Sequence, residues 1–267
     1  MNFRLHLFEF EDQPWFPGVL RAGQMDYLRF MISGLGIYRP VAPLLAAALR
    51  HTHQNQLLEL GAGAGGGTET VLAALRRQPT APPGLRLLLT DLYPQPAAWA
   101  DVARRTSGTI RGHAAPVDAL AVPPGLPGFR VIFSAFHHFA PPQAEALLRD
   151  AVASGTGIGV FEGAAKSWLE IGLALTVLPM AQLLLTPFFR PFRFSRLVFT
   201  YLLPLIPLTT IWDGVVSIFR MYPPAQLLAL AHRADPTGRY RWQAGQLRQW
   251  WGPRVTYLVG VPVARTL

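Results

Sequence analysis

Leu57-Leu58-Glu59-Leu60-Gly61-Ala62-Gly63-Ala64-Gly65-Gly66-Gly67-Thr68 is the stretch that decides the fold. An apolar run of strand length stops at a glycine turn, and a helical pattern over 68–77 begins directly behind it. Strand, glycine turn and helix in that order bring backbone N–H groups and the positive end of a helix to one point. That point lies at the carboxyl end of a sheet, where nucleotide-like ligands bind. Gly61, Gly63 and Gly66 also satisfy GxGxxG, a pattern of little specificity by itself.

The flanks repeat the alternation. Residues 24–35 and 40–50 read as helices upstream. Downstream, 85–90 is a Leu-rich strand, 96–105 a helix and 109–116 a weaker strand. A strand at 129–134, an Ala/Leu-rich helix at 141–153 opened by two prolines, and a strand at 157–161 follow. Strands alternating with helices of this length predict parallel βαβ units in an α/β sheet. The alternation breaks after Glu162, where residues 168–212 are mostly Leu, Phe, Ile and Pro. It resumes with a helix at 223–233 and strands at 239–244 and 255–263, which can pair as an antiparallel hairpin across 245–254.

Composition narrows the function classes. Hydrophobic residues make up 51% of the 267 and charged residues 15%. Soluble domains average about 25% charged residues, so the chain is unusually apolar and far from the disordered class. The formal charge of +9 comes from 24 basic residues, of which Lys166 is the one lysine, and the arginines are scattered without a basic run. That pattern argues against a nucleic-acid partner. With no cysteine, disulfides, zinc–thiolate sites and thiol nucleophiles are excluded. No continuous apolar signal segment opens the chain; Arg4, His6, Glu9, Glu11 and Asp12 interrupt it.

Two ligand classes compete for the glycine turn. A dinucleotide needs its pyrophosphate at the helix end and an acid on the ribose, a place Asp91 could take. Glu59, two residues before the first glycine, suits a cationic ligand better.

Glu59-Leu60-Gly61-Ala62-Gly63-Ala64-Gly65 resembles motif I of the class I S-adenosylmethionine-dependent methyltransferases. The resemblance covers about 55–163 and returns at 223–263. It implies a Rossmann-like, seven-stranded, mostly parallel sheet with helices on both faces and a C-terminal antiparallel hairpin. It also implies S-adenosyl-L-methionine as cofactor, with Glu59 toward its amino-acid end and Gly61, Gly63 and Gly65 allowing close backbone approach. By the same resemblance Asp91 takes the ribose hydroxyls and Asp118 reads the adenine amino group. Ser134-Ala135-Phe136-His137-His138-Phe139 is similar to the motif beside the transferred methyl. The organisation this implies is one domain: an N-terminal helical lid segment 1–50, a cofactor-binding core 51–163, a hydrophobic helical insertion 164–215 and a C-terminal completion of the sheet 216–267.

Histidine titrates near neutrality and can take a proton from an acceptor hydroxyl or acidic carbon. His137 aligns with the catalytic histidine of some O-methyltransferases resembling this motif; His138 stands where those enzymes often carry an acid. Adjacent residues on an extended backbone point to opposite sides, so the pair is a poor chelate, and no metal site is expected. Either histidine can instead simply pack under the loop. Glu162 either lines the acceptor pocket or holds a loop. Trp15, Phe16, Tyr27 and Tyr38 form either a lid, with Trp15 and Tyr38 touching substrate, or an aromatic packing cluster. Asp213 reads as a helix cap.

The insertion carries two apolar segments, 171–185 and 197–212, around Arg190, Arg193 and Arg196. At ~1.5 Å per residue both fall short of a ~30 Å hydrocarbon core, and a spanning hairpin would put the arginines on the far side of the membrane, against the positive-inside tendency. An interfacial placement on the cytoplasmic face is favoured, with the arginines at anionic headgroups. A buried substrate cap, an oligomer interface and a transmembrane hairpin are the alternatives.

The function expected is methyl transfer to a hydrophobic small-molecule or lipid-like acceptor. Oxygen is favoured over carbon or nitrogen, because of His137 and the lack of an Asn-Pro-Pro-Tyr-like motif. The rivals are an NAD-dependent oxidoreductase and a non-catalytic membrane-docked scaffold on the same fold.

Overall fold

Residues 56–60 are apolar on both faces because they run through the middle of the sheet: Leu57 to Leu60 are all buried. The computed structural model describes residues 4–190, 192–248 and 253–263. Its strands are β1 (Gln56–Leu60), β2 (Arg86–Thr90), β3 (Ile110–Gly112), β4 (Phe129–Phe133), β5 (Ile158–Glu162), β6 (Tyr240–Arg248) and β7 (Arg254–Pro262). They form one seven-stranded sheet in the order β3-β2-β1-β4-β5-β7-β6. β1 to β5 run parallel; β7 lies antiparallel to β5, Phe161 opposite Tyr257, and pairs with β6 as a hairpin. Of the expected hairpin turn, residues 249–252 lie outside the described residues.

The helices are α1 (Gly18–Leu35), α2 (Ala42–His51), α3 (Thr68–Arg76), α4 (Pro96–Arg105), α5 (Pro141–Ser154), α6 (Trp168–Leu185), α7 (Phe194–Leu197), α8 (Leu205–Arg220) and α9 (Pro224–Ala234). One face of the sheet is covered by α2, α3 and α4 through Leu45, Leu49, Val71, Leu75 and Trp99. The other is covered by α5 and α9 through Leu147, Leu148, Leu227 and Leu230. Crossover helices on both faces are what a parallel sheet requires, because its strands are apolar on both sides.

The insertion leaves the sheet at the carboxyl end of β5 and forms α6 to α8. Its neck is closed by Lys166, whose Nζ donates to the carbonyls of Phe219 at 2.7 Å and Met221 at 3.2 Å. α8 runs to Arg220, beyond the expected end of the insertion at 215. Pro207 sits in its first turn, where no intrahelical N–H is needed. Asp213 is therefore inside a helix and not at its start, a correction of the cap reading. Its carboxylate serves the N-terminal arm, accepting from Phe10 N at 2.6 Å and Glu11 N at 3.2 Å, and from Gln24 Nε2 at 3.0 Å.

Arg196 is also not where an interfacial reading puts it. It is buried, with Nη1 2.6 Å from Asp26 Oδ2 on α1 and Nη2 donating to the Phe189 carbonyl. Arg193 reaches the same carboxylate at 3.2 Å and is half exposed; Arg190 is exposed. This ion-pair cluster clamps the insertion onto α1.

Candidate functional site

Glu59 is the fourth residue of β1, and its side chain turns into the protein. Its Oε2 accepts from Thr68 Oγ1 at 2.9 Å, the first residue of α3. Burial, with Asp91 nearby, pushes its carboxyl up to about 8. Behind it the chain reverses through Gly61, Gly63 and Gly65, and at Gly65 φ is +76°, a backbone conformation side chains disfavour. Gly63 N donates to Asp91 Oδ2 at 2.8 Å, and Trp99 Nε1 donates to Gly63 O at 2.9 Å. Asp91, half-buried at the end of β2, also accepts from Tyr93 N through Oδ1. Asp118 is exposed on the loop after β3, one residue past Val117, whose N donates to the Asp91 carbonyl at 2.9 Å.

The carboxyl ends of β1, β2 and the β3 loop thus gather the acids that the resemblance assigns to cofactor binding. α1 lies across the glycine turn: a Cβ on Gly67 would meet Ile32 at 2.5 Å. A cavity of about 1190 Å³ opens between α1, the turn and the start of α4, with Met25, Arg29, Ala64, Gly65 and Gln95 in its wall. Glu59, Asp91 and Asp118 do not line it.

A second group of side chains gathers at the ends of β4 and β5. Ser134 follows β4 with φ +47°; its Oγ meets the hydroxyl of the fully buried Tyr38 and accepts from Gly163 N at 3.3 Å. Burial raises the Tyr38 phenol far above its ordinary range. Phe136 to His138 form a short 3₁₀ turn. The backbone there is not extended, so the two histidines do not face opposite ways. Their rings lie side by side with centroids 4.3 Å apart and planes 32° apart.

Glu162, the last residue of β5, grips His137 twice. Oε1 accepts the His137 backbone N–H at 3.0 Å, and Oε2 lies 2.8 Å from ring Nδ1. A carboxylate only accepts, so the ring proton is on Nδ1 and the Nε2 lone pair is free to take a proton. Both residues are buried.

Sequence reading missed what covers this pair. The N-terminal arm, residues 4–16, crosses over the histidines and brings three acids with it. Glu9 is fully buried, with Oε1 3.9 Å from His137 Nε2 and Oε2 3.4 Å from His138 Nδ1. Asp12 Oδ1 lies 3.0 Å from His138 Nδ1, and Glu11 lies 3.7 Å from its Nε2. Arg220, at the end of α8, pairs with Glu9 at 3.2 Å and Asp12 at 2.7 Å. Burial pushes the Glu9 carboxyl up to about 8, while His138 and Arg220 hold Asp12 well below the carboxylate range despite its own burial. The one signal in the sequence was three acids within an otherwise aromatic arm.

Donor atoms of Glu9, His137 and His138 lie within 4.8 Å of one another, a metal-like spacing assembled from distant parts of the chain. Trp15 is 65% exposed on the arm, with its ring against Phe10 and Phe16 and not against the histidines.

No protein-family model matches this chain, and no curated protein matches it by sequence. Solved structures do match in three dimensions. A candidate O-methyltransferase from Nostoc punctiforme superposes with a TM-score of 0.51 at 17% identity, over 97% of this chain and 64% of that one. NcsB1, an O-methyltransferase from neocarzinostatin biosynthesis bound to S-adenosyl-L-homocysteine and 1,4-dihydroxy-2-naphthoic acid, gives 0.50 at 14%, over 92% and 59%. The plantazolicin methyltransferase BpumL, bound to S-adenosylhomocysteine, gives 0.50 at 9%, over 91% and 98%. The chain therefore has the fold of the class I S-adenosylmethionine-dependent methyltransferases, and it spans about two thirds or less of the first two of these structures.

Proposed function

We propose that this chain is an S-adenosylmethionine-dependent methyltransferase that acts on a hydroxyl of a lipophilic small molecule at a membrane face. One juxtaposition carries the reading: the acids Glu59 and Asp91 around the glycine turn, facing the same end of the sheet as the buried His137–Glu162 pair. The residues present fit the cofactor. Asp91 and Asp118 offer acceptors to hydroxyl and amino donors, and Ala64 and Gly65 open onto the cavity beside the turn, while Glu59 is turned inward onto Thr68 and α1 covers Gly66 and Gly67. When bound, S-adenosylmethionine supplies an activated sulfonium methyl, so the protein's task is to align and to exclude water. Glu162 holds the His137 ring, and His137 Nε2 takes the acceptor's hydroxyl proton. Ser134 and Tyr38 fix the turn that carries His137.

The membrane part of the reading rests on α6 to α8. α6 is apolar on all sides, yet of its eighteen residues only Glu170, Ile171, Ala174 and Gln182 are buried. Trp168, Leu184, Phe188, Phe194 (72% exposed), Leu202 (75% exposed) and Leu208 stand in solvent. So large an apolar surface marks an interaction site, and the exposed Arg190 and half-exposed Arg193 beside Phe192 and Phe194 suit anionic headgroups. Trp168–Phe188, with mean hydropathy 1.7, starts before residue 171 and runs past 185 and is long and apolar enough to cross a membrane, against the expectation that the first segment falls short. The second segment bends by 79° between residues 202 and 205 and is clamped to α1 through Arg196, which favours lying in the interface over spanning as a hairpin.

Calorimetry with S-adenosylmethionine and with NADH tests the cofactor; tight binding of NADH and none of S-adenosylmethionine would reject the reading in favour of an oxidoreductase. Flotation with phosphatidylcholine vesicles, with and without phosphatidylglycerol, tests the surface. Binding enhanced by the anionic lipid and lost in a Leu184→Glu/Leu202→Glu double variant is expected. A concentration-dependent dimer that ignores vesicles would assign the face to a second copy instead.

A further inference from the structure

The cavity of about 1190 Å³ beside the glycine turn has a wall that the cofactor does not explain. It takes only Ala64 and Gly65 from the turn, and Glu59, Asp91 and Asp118 stay out of it. Six arginines line it instead: Arg21 and Arg29 on α1, Arg104 and Arg105 on α4, and Arg190 and Arg193 in the insertion. Three acids, Asp26, Glu69 and Asp101, stand against them, which leaves an excess of three positive charges.

Those acids are already engaged. Asp26 holds Arg196 at 2.6 Å, Arg193 at 3.2 Å and Arg29 at 3.6 Å. Glu69 holds Arg105 at 3.0 Å, and Asp101 holds Arg104 at 2.7 Å as well as Arg105. Several guanidiniums keep donors to spare. Among the described residues Arg193 uses only Nε and Arg104 only Nη2. Arg29 uses only Nη2, which donates to the Arg190 carbonyl and faces Asp26. The exposed Arg190 side chain has no hydrogen bond or ion pair among the described residues.

A guanidinium has five N–H donors and no acceptor. Its planar fork matches the oxygens of a phosphate two at a time. Four such groups, drawn from three separate parts of the chain to one cavity, fit an anion rich in acceptor oxygens. α4 strengthens the same field: it starts with no acid in its first turn and no side-chain cap, and Gln95, Ala97 and Ala98 at that start line the cavity. S-adenosylmethionine matches this wall poorly, since its sulfonium is itself a cation.

Part of the wall is apolar. Met25 and Phe30 of α1 line it together with Phe188, which is 65% exposed and lies four residues beyond the exposed Leu184 of α6. Arg190 and Arg193 alternate with the exposed Phe192 and Phe194. The charged wall therefore ends at the apolar face of the insertion. Pockets of roughly 300–1,000 Å³ hold drug-sized ligands, so the volume admits a headgroup with the start of its chain.

We infer that this cavity takes the phosphate headgroup of an anionic lipid, whose chain leaves past Phe188 onto the apolar face of α6 to α8. The path of the chain rests on the membrane reading above; the headgroup site does not.

Calorimetry below the micelle concentration uses dihexanoyl phosphatidic acid, dihexanoyl phosphatidylcholine and inorganic phosphate as probes. The wild type is expected to bind the phosphatidic acid at least tenfold more tightly than either of the others. Arg104→Ala/Arg190→Ala, which alters two exposed side chains, is expected to lose at least tenfold of that affinity. Arg86→Ala/Arg111→Ala removes the same charge from exposed positions on β2 and β3 outside the cavity and is expected to lose less than twofold. Equal binding of the two lipids, an unchanged affinity in the first variant, or an equal loss in the second overturns the site. Inorganic phosphate bound as tightly as phosphatidic acid overturns the lipid assignment. Displacement of phosphatidic acid by S-adenosylhomocysteine overturns the inference by giving the cavity to the cofactor. Because the lipid is monomeric, vesicle flotation that fails while phosphatidic acid still binds sinks the membrane reading and supports the headgroup site alone.

Discussion

Replacing Glu162 by Gln alters one atom of the clamp on His137 and reverses its polarity. The carboxylate accepts twice, from the His137 backbone N–H at 3.0 Å and from ring Nδ1 at 2.8 Å. A Gln amide keeps one acceptor and gains a donor. With its oxygen on the backbone N–H, its NH₂ meets Nδ1, and the ring proton moves to Nε2. The lone pair that faces Glu9 and the acceptor is then lost. A hydrogen bond to a charged group is worth about 1.5–3 kcal/mol, and melting falls by roughly 2–4 °C per kcal/mol in domains approaching this size. A general base contributes about 10²–10⁴ in rate, or roughly 2.7–5.5 kcal/mol of barrier at 1.36 per decade. Turnover therefore falls further than folding stability does, and cofactor affinity stays unchanged because Glu59 and Asp91 are untouched. Long-range ¹H–¹⁵N correlation on ¹⁵N-histidine protein reads the tautomer with no acceptor present. Nδ1–H is expected in the wild type and Nε2–H in Glu162→Gln. A wild-type ring protonated on Nε2, or a variant that keeps full turnover with only a lowered melting point, would refute the reasoning.

Further outcomes follow from the buried charges. Glu9 and Glu59 are held at about 8 against an ordinary 4.5, so the native state keeps protons that the unfolded chain releases. Their contribution to stability is greatest below about pH 4.5, falls as pH rises toward 8, and is flat beyond. The melting temperature of the wild type relative to Glu59→Gln should fall between pH 5 and 8; a rise contradicts the sign. Asp26→Ala leaves Arg196 buried without its carboxylate and is expected to cost about 3–5 kcal/mol in urea denaturation, whereas Arg193→Ala, half exposed, costs no more than about 1 kcal/mol. Gly67→Ala puts a side chain at φ +81° and a Cβ 2.5 Å from Ile32. The backbone term alone is about 1–3 kcal/mol, and a neutral result in denaturation would mean that α1 does not press on the turn as described.

The core of the fold was legible because its signals are local. Glu59 to Gly65 carry strand, turn and chemistry in seven consecutive residues, and the observed strands and helices of the core keep the expected order, with β6 longer and β3 shorter. β3 is brief because it pairs only with β2, over three residues. The acceptor side was legible only in part. His137 and Glu162 were each singled out, but their contact depends on β4 and β5 being neighbours in register, Phe133 opposite Phe161. Glu9, Asp12 and Arg220 were not legible, because nothing near them in sequence says that the arm folds along α8. Asp213 and Arg196 were misread for the same reason: a charged residue in a greasy segment looks like a helix cap or a headgroup contact until its partners, the arm backbone and Asp26, come from the other end of the chain.

The central claim is that this chain moves a methyl group onto a lipophilic hydroxyl compound. The most direct test incubates the purified protein with membrane lipid extract and S-adenosylmethionine deuterated at the methyl, followed by mass spectrometry of the organic phase. A labelled product that partitions with lipids, formed by the wild type and strongly reduced in His137→Ala, is the result predicted. Tight cofactor binding with no labelled product in any extract, or a product formed equally by His137→Ala, would contradict the account.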